Sequence, residues 1–293
     1  MKPETNYSAC PHDCPSTCAL VVEKLDDHTI GRVNGNPDNS YTAGVICAKV
    51  ARYAERTHHP DRLTVPLKRI GPKGSGQFEE ISWDAALDEV ANAFRDATDK
   101  HGAESVWPYS YGGTMGLLQS GSMERLRNEM GYSLMRSTTC GGLVDTGWLA
   151  GFGRRIGPDP REMAEADLII IWGTNAVSTQ VNVMTHVSRA RKNRGAKVIV
   201  IDPYKNPTAK TADIHIALRP GTDGALACAL MHIAFRDGYA DHDYMEKFAD
   251  VPAELEEHLK SRDPAWAAKI TGLSVAEIEN LADYLERLTN SFK

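Results

Sequence analysis

Asp167-Leu168-Ile169-Ile170-Ile171-Trp172-Gly173-Thr174-Asn175 is a short apolar run that ends in a glycine turn. A run of this length is strand-sized and shows no polar face to water, which predicts a strand covered on both sides. C-terminal to it, a helix is predicted from about Ser178 to Asn193 and closed by Gly195, followed by a second apolar strand over 196–201 that ends in Asp202-Pro203. Strand, helix and strand at this spacing make one βαβ unit with parallel strands. Residues 214–218 read as a further short strand, and Pro220-Gly221-Thr222-Asp223 opens a helix over 224–236. Residues 240–290 read as mostly helical, broken at Pro252 and Gly272. Alternating strands and helices predict a three-layer α/β domain with a mainly parallel sheet.

N-terminal to this core, Ser82 is a plausible N-cap for a helix over 83–99, with Ala86, Leu87, Val90, Ala93 and Phe94 on one face. Residues 105–111 read as a strand broken by Gly112-Gly113, and 115–130 as a helix. The first sixty residues differ: they are rich in Pro, Gly, Asn and Asp. Their short apolar runs, Leu20-Val21-Val22 and 30–33, with the turn Asn34-Gly35-Asn36-Pro37, predict hairpins. Such a segment has few core residues, so something besides apolar burial is expected to organise it. The division expected is a small domain over 1–62 and an α/β domain over 63–293.

The chain has 293 residues, 42% hydrophobic and 25% charged, which is ordinary for a globular protein. With 33 Lys+Arg against 39 Asp+Glu its formal charge is −6, a poor match to nucleic acid, which selects a basic footprint. No apolar run is long enough to cross a membrane. The N-terminal residues show neither a twin-Arg pair nor an apolar leader, so a cytoplasmic chain is expected.

Six cysteines are too sparse for a disulfide scaffold, and four of them fall in the first 47 residues as Cys10-x3-Cys14-x3-Cys18-x28-Cys47. Four thiolates hold either a [4Fe–4S] cluster or a zinc ion. Zinc sites more often pair two short doublets; three close cysteines plus a distant one suit a cubane better, with zinc and unliganded thiols as the alternatives. Pro11 and Pro15 disfavour a single helix through the first three and leave a loop whose sulfurs converge. Lys49 lies two residues after Cys47, where a cation offsets a negatively charged cluster; the bland reading is a solvated surface lysine.

A second site is predicted where the strands end. Gly173 lets backbone approach a ligand, and Thr174 and Asn175 lead into a helix N-terminus. Asp202 ends the next strand, where an acid accepts from ribose hydroxyls or a guanine edge, and Thr222 and Asp223 form a third strand-to-helix turn. Each turn alone reads equally well as ordinary capping. Together they read as a nucleotide site, although no G-x-G-x-x-G fingerprint is present.

These residues resemble the N-terminal part of the molybdopterin oxidoreductases that carry a [4Fe–4S] cluster and a molybdenum or tungsten bis-molybdopterin guanine dinucleotide. The matching segments are 10–18, Gly44-Val45-Ile46-Cys47-Ala48-Lys49, Pro60-Asp61-Arg62-Leu63 leading to Pro66-Leu67, and Ile81-Ser82-Trp83-Asp84-Ala85-Ala86-Leu87. Further matches are Trp172-Gly173-Thr174-Asn175, Ile201-Asp202-Pro203 and Arg219-Pro220-Gly221-Thr222-Asp223-Gly224, all in family order. The resemblance implies an iron–sulfur domain of loops and short strands followed by a Rossmann-like three-layer α/β domain. It implies that Cys10, Cys14, Cys18 and Cys47 ligate the cluster and that Lys49 lies between cluster and pterin on the electron path. Trp172, Gly173, Thr174, Asn175, Asp202, Pro203, Gly221, Thr222 and Asp223 are then the cofactor-binding positions. Cys140, in Ser137-Thr138-Thr139-Cys140-Gly141-Gly142, falls where the family places the protein ligand of the metal; its bland reading is a buried small hydrophobe. Cys228, inside an apolar helix, reads as core.

Two departures bear on function. Family formate dehydrogenases carry His directly after the metal-ligating residue, whereas this chain has Gly141, which counts against formate. The chain also ends short of the family's remaining interior domains and C-terminal β-barrel, so a truncated chain or one piece of a split subunit is expected. The activity implied is oxidoreduction of a small-molecule substrate, with electrons passing between the metal and the cluster and on to a redox partner protein. The rival readings are an iron–sulfur electron-transfer or assembly protein without its own catalytic centre, and a relative that keeps the cofactor without net redox. The missing C-terminal half is a further partner in the split-subunit case.

Overall fold

The computed structural model of the chain describes residues 4–109, 117–135, 139–155 and 157–289, and divides between Pro158 and Asp159 into two compact units. The first unit opens with an antiparallel meander in the order β1 (Glu4–Ala9), β2 (Ala19–Lys24), β3 (Ile30–Gly35). The second and third strands are the predicted hairpin. The first is a strand that the sequence pattern did not announce, because all six of its residues are exposed and it is held mainly by backbone pairing, with Glu4 3.9 Å from the Lys24 ammonium across the ladder. Leu20 and Val33 bury one face of the meander against Val50, on the short helix α1 (Ala48–Ala51); α2 (Tyr53–Thr57) comes next.

The chain then forms the hairpin β4 (Leu67–Arg69) and β5 (Phe78–Glu80), and the helix α3 (Trp83–His101). Ser82 caps α3 as predicted: its Oγ accepts from the Ala85 N–H at 3.1 Å. The apolar stripe of α3 does not form a core, however, since Leu87 and Val90 are 62% and 50% exposed. Helix formation follows from cap and periodicity, which are local; burial needs a partner surface, and only the far end of this face finds one among the described residues, where the Phe94 ring meets that of Tyr132 at 5.8 Å. The strand expected over 105–111 is also corrected. Ala103–Ser105 form a single 3-10 turn and the described residues beyond it are irregular. Val106 accepts one backbone bond, from the Ser133 N–H at 3.0 Å, and Pro108 has no N–H to extend a ladder. Residues 110 and 111 of that expectation lie outside the described residues. Helices α4 (Leu117–Met130) and α5 (Thr139–Phe152) complete the unit's regular elements.

The second unit is the predicted three-layer α/β sandwich. Strands β6 (Leu168–Trp172), β7 (Lys197–Ile201) and β8 (Ile214–Ile216) pair in parallel in that order, with Trp172 opposite Ile201 and Ile201 opposite Ile216. A short turn of helix, α6 (Ala176–Thr179), precedes α7 (Val181–Arg194), which ends at Gly195 in the left-handed conformation. Alternation splits the strand residues between two cores. Ile169, Ile171, Val198 and Val200 pack on Val187 and Ala190 of α7. Ile199, Ile201 and Ile216 pack on the other side against Leu226 and Ile233 of α8 (Asp223–Arg236). Two further helices, α9 (His242–Phe248) and α10 (Pro252–Leu259), lead to α11 (Pro264–Thr271) and α12 (Val275–Thr289), whose Ala267, Ile278 and Leu281 join that second core. Pro252 starts α10 and Gly272 caps α11, so both expected breaks fall at helix ends.

Gly35 fixes the meander to the segment that leads into Cys47. A Cβ there would lie 2.3 Å from the carbonyl oxygen of Gly44, so two backbones touch where any side chain would intervene. Gly35→Ala is expected to destabilise the protein by about 1–3 kcal/mol. Gly121→Ala, in open space on α4, should instead be neutral or stabilising by up to about 1 kcal/mol. Urea unfolding of both variants against the parent checks the contrast.

Candidate cofactor sites

The first site is built on the loop that joins β1 to β2. No helix runs through 10–18, and the Cys10 N–H donates to the Cys18 carbonyl at 2.8 Å, closing the loop on itself. Thr17 takes a left-handed φ of 38° to let the chain return. Ala43 does the same, at 46°, before the segment that delivers Cys47; such conformations cost about 1–3 kcal/mol each and concentrate at functional sites. Cys10 and Cys18 are buried, Cys14 and Cys47 half-buried, and no disulfide joins any of them. Cys10, Cys18 and Cys47 belong to the same small core as Leu20, Val33 and Val50.

Burial, the largest effect, and the nearby Cys47 and Cys14 sulfurs push the Cys10 thiol above its ordinary range; the His12 N–H and the Lys49 ammonium pull it down. The four sulfurs thus share one neighbourhood. Among the described residues, though, no three His, Cys, Asp or Glu side chains converge to hold a single metal ion. His12 Nε2 is buried beside the loop without a hydrogen-bond partner, as expected next to a site that takes up a further group.

The second site is the edge of the sheet where β6, β7 and β8 end. Gly173, Asp202 and the turn at Gly221-Thr222 are brought to this edge by the parallel register. The predicted residues there are bonded to one another. Trp172 Nε1 donates to Asp223 Oδ1 at 2.7 Å, which ties the end of β6 to the start of α8. Asn175 Oδ1 accepts from Thr208 Oγ1 at 2.8 Å, and that hydroxyl accepts from the Val177 N–H at 3.0 Å, so Thr208 caps α6 on behalf of Asn175. Asp202 accepts from the Tyr204 N–H and from Asn206 Nδ2, while its carbonyl receives His215 Nε2 at 2.8 Å. Because a carbonyl only accepts, that nitrogen of His215 carries the proton. Pro203 is exposed and Thr174 half-buried. Gly173 and Gly221, with φ of 67° and 77°, leave open space where a side chain would project. The edge therefore offers ordered polar atoms around an open cradle, the place where open α/β sheets bind ligands.

Sequence models of known families separate the same two regions. The molybdopterin oxidoreductase Fe4S4 domain matches residues 3–59, and the molybdopterin oxidoreductase model matches residues 62–289. The chain belongs to the molybdopterin oxidoreductase family. Its cofactor classes follow: an Fe4S4 cluster for the first region and a molybdenum or tungsten molybdopterin for the second. The probable oxidoreductase YoaE of Bacillus subtilis (strain 168) is 41% identical over 286 residues, covering 97% of this chain and 42% of that protein. The probable dimethyl sulfoxide reductase chain YnfF of Escherichia coli (strain K12) is 32% identical, covering 94% of this chain and 38% of its own length. Among solved structures, acetylene hydratase from Pelobacter acetylenicus superposes with a TM-score of 0.74 at 26% identity, over 94% of this chain and 38% of that one. The chain thus spans about two-fifths of the length of the relatives it matches.

The residues present fit both cofactor classes of this molybdopterin oxidoreductase chain: four thiols at the edge of a thin core for the cluster, and the cradle at the sheet edge for the organic cofactor. Cys140 is the second residue of α5, with its side chain outside the described residues, as are residues 136–138. Cys228 is half-buried on α8 rather than fully in the core. Lys49 is exposed on α1. No described helix is long and apolar enough to cross a membrane.

Sequence reading missed Thr208, Asn206 and His215, the residues that hold the site in shape. Thr208 and Asn206 are buried, and Asn206 also accepts from the Ala209 N–H at 2.9 Å. The signal available was a polar turn between two buried strands. Thr208→Val leaves the Val177 N–H and Asn175 Oδ1 without their partner and should cost about 1–3 kcal/mol. Thr208→Ser should restore most of that loss; chemical denaturation of the three proteins measures it.

Proposed function

We propose that this chain is the cofactor-binding N-terminal portion of a molybdenum or tungsten bis-molybdopterin guanine dinucleotide-dependent oxidoreductase, acting on a small-molecule substrate. The observation that carries this reading is the pairing of a four-thiol neighbourhood with a pre-ordered cradle at a parallel sheet edge in one family member. We assign residues 1–62 to the cluster and 63–293 to the guanine dinucleotide cofactor, a division supported by the boundary between the two matching family models.

In this reading Cys10, Cys14, Cys18 and Cys47 hold the iron. The Lys49 ammonium stands by the cysteine loop, where its positive charge offsets the negative charge of thiolate ligation. Gly173 and Gly221 admit the dinucleotide backbone at the sheet edge. Asn175, Asp202 and Asp223 present oxygens already oriented by Thr208, Asn206 and Trp172, so little ordering entropy is lost on binding. Pro203 and Thr174 line the turns, and Thr222 closes the third. Cys140 supplies a soft sulfur to the molybdenum or tungsten. When bound, the metal exchanges electrons with substrate and the cluster carries them singly towards a partner protein. A reducing cytoplasmic setting suits four thiols committed to iron.

The likeness to acetylene hydratase favours one second reading, a reaction without net redox. Turnover of a candidate substrate without any external electron acceptor would select it.

Elemental analysis of the anaerobically purified chain tests the main reading. About four irons per chain, with molybdenum or tungsten, are expected. Iron without either metal would reduce the chain to an electron-transfer or assembly role, and zinc in place of iron would overturn the cysteine assignment. Cys140→Ser should keep its iron while losing turnover, and Lys49→Ala should keep its iron while slowing cluster reduction, read by stopped-flow bleaching of cluster absorbance.

A further inference from the structure

Beside the cysteine loop lies an open basin of about 710 Å³ whose lining is dominated by cations. Lys49, Arg52, Arg56 and Arg62 line it with only two carboxylates, Glu55 and Asp61, in a chain whose overall charge is −6. Glu55 is committed to Arg52, accepting from its Nε at 2.7 Å, and Asp61 is an exposed carboxylate at the rim whose backbone N–H donates to His59 Nδ1 at 3.2 Å. Arg56 and Arg62 pair with no carboxylate among the described residues. Two guanidiniums of like charge facing one cavity repel each other, and an oxyanion relieves that repulsion with bidentate geometry.

One aromatic layer separates this basin from the sulfurs. The Tyr53 ring packs against the core that contains Cys10, Cys18 and Cys47, and it meets the His12 ring at 5.5 Å between centroids. Both rings line the basin.

We propose that this basin is an oxyanion site, binding a phosphoryl-type dianion on Arg56 and Arg62, and that its occupancy is coupled to the charge of the adjoining cluster. The coupling rests on the assignment of the four cysteines to iron. A cluster that takes up one electron from an external donor becomes one unit more negative. An anion held across one aromatic layer opposes that change, so it binds the reduced state more weakly. Linkage makes the effect reciprocal: the anion lowers the reduction potential. The phosphoryl group has two sources, a free anion or the organic cofactor.

The test is an electrochemical titration of the full chain, followed by electron paramagnetic resonance, with inorganic phosphate varied against chloride at constant ionic strength. The midpoint is expected to fall as phosphate rises; a tenfold weaker affinity for the reduced state corresponds to about 59 mV. Arg56→Gln with Arg62→Gln should retain iron, abolish the phosphate dependence and lower the phosphate-free midpoint. A midpoint independent of phosphate in the parent, or a dependence that survives in the double variant, overturns the proposal. A shift in protein with and without molybdenum or tungsten identifies a free anion; a shift only without them means that the cofactor's own phosphoryl group fills the basin. Calorimetry of phosphate with the purified chain, beside its elemental analysis, separates the two layers of the argument. If the chain carries no iron the cysteine assignment has failed, and phosphate that does not bind there refutes the basin itself.

Discussion

Parallel pairing of three largely apolar strands is the constraint on which the second unit depends. Such strands are stable only when both faces are covered, so helices must lie on each side, and every crossover returns the chain to the same end of the sheet. Trp172, Ile201 and Ile216 are therefore neighbours across the ladder, and the turns after them share one edge. The polar side chains of those turns then satisfy one another rather than water. Trp172 with Asp223, and Asn175 with Thr208, join loops far apart in sequence into one rigid rim. Rigidity at that rim comes from the sheet, and chemistry is added to it.

The first unit rests on a weaker foundation. Its meander buries Leu20, Val33 and Val50, and the remaining buried apolar positions in that core are themselves Cys10 and Cys18. A core this thin supplies little of the stabilisation that such a segment needs, and metal ligation is the usual supplement in small folds. The left-handed Thr17 and Ala43 point the same way, since strain of that kind persists only where the surroundings over-determine it. On the proposed assignment, structure and ligand set are mutually dependent there: the loop presents the sulfurs, and the group they would hold completes the loop.

Some of this was legible in the residues. Strands β6 and β7 were, because burial on both faces writes an apolar run; so were the caps at Ser82 and Gly195, which are local devices. Strand β1 was not, since residues exposed on both faces carry no alternation. Helix α3 was legible as a helix but not in its exposure, because periodicity reports which side is apolar and says nothing of what covers it. At the sites, the cysteine spacing and the acids at the strand ends stood out, as residue types that chemistry requires. Thr208, Asn206 and His215 did not, because polar residues in a turn look like solvated loop until the backbone brings their partners within reach.

The meander also has a consequence for biosynthesis. Its three strands are joined in sequence order by nearest-neighbour pairings, and the last of the four sulfurs arrives with Cys47, before any strand of the parallel sheet has been translated. Small domains fold as units while the ribosome is still at work, the N-terminal ones first. On the proposed assignment, all four cysteines of the cluster are thus present while the cradle at the sheet edge does not yet exist. Delivery of the two cofactors is then separable in time, and iron loaded onto the nascent chain meets no competition from the second site.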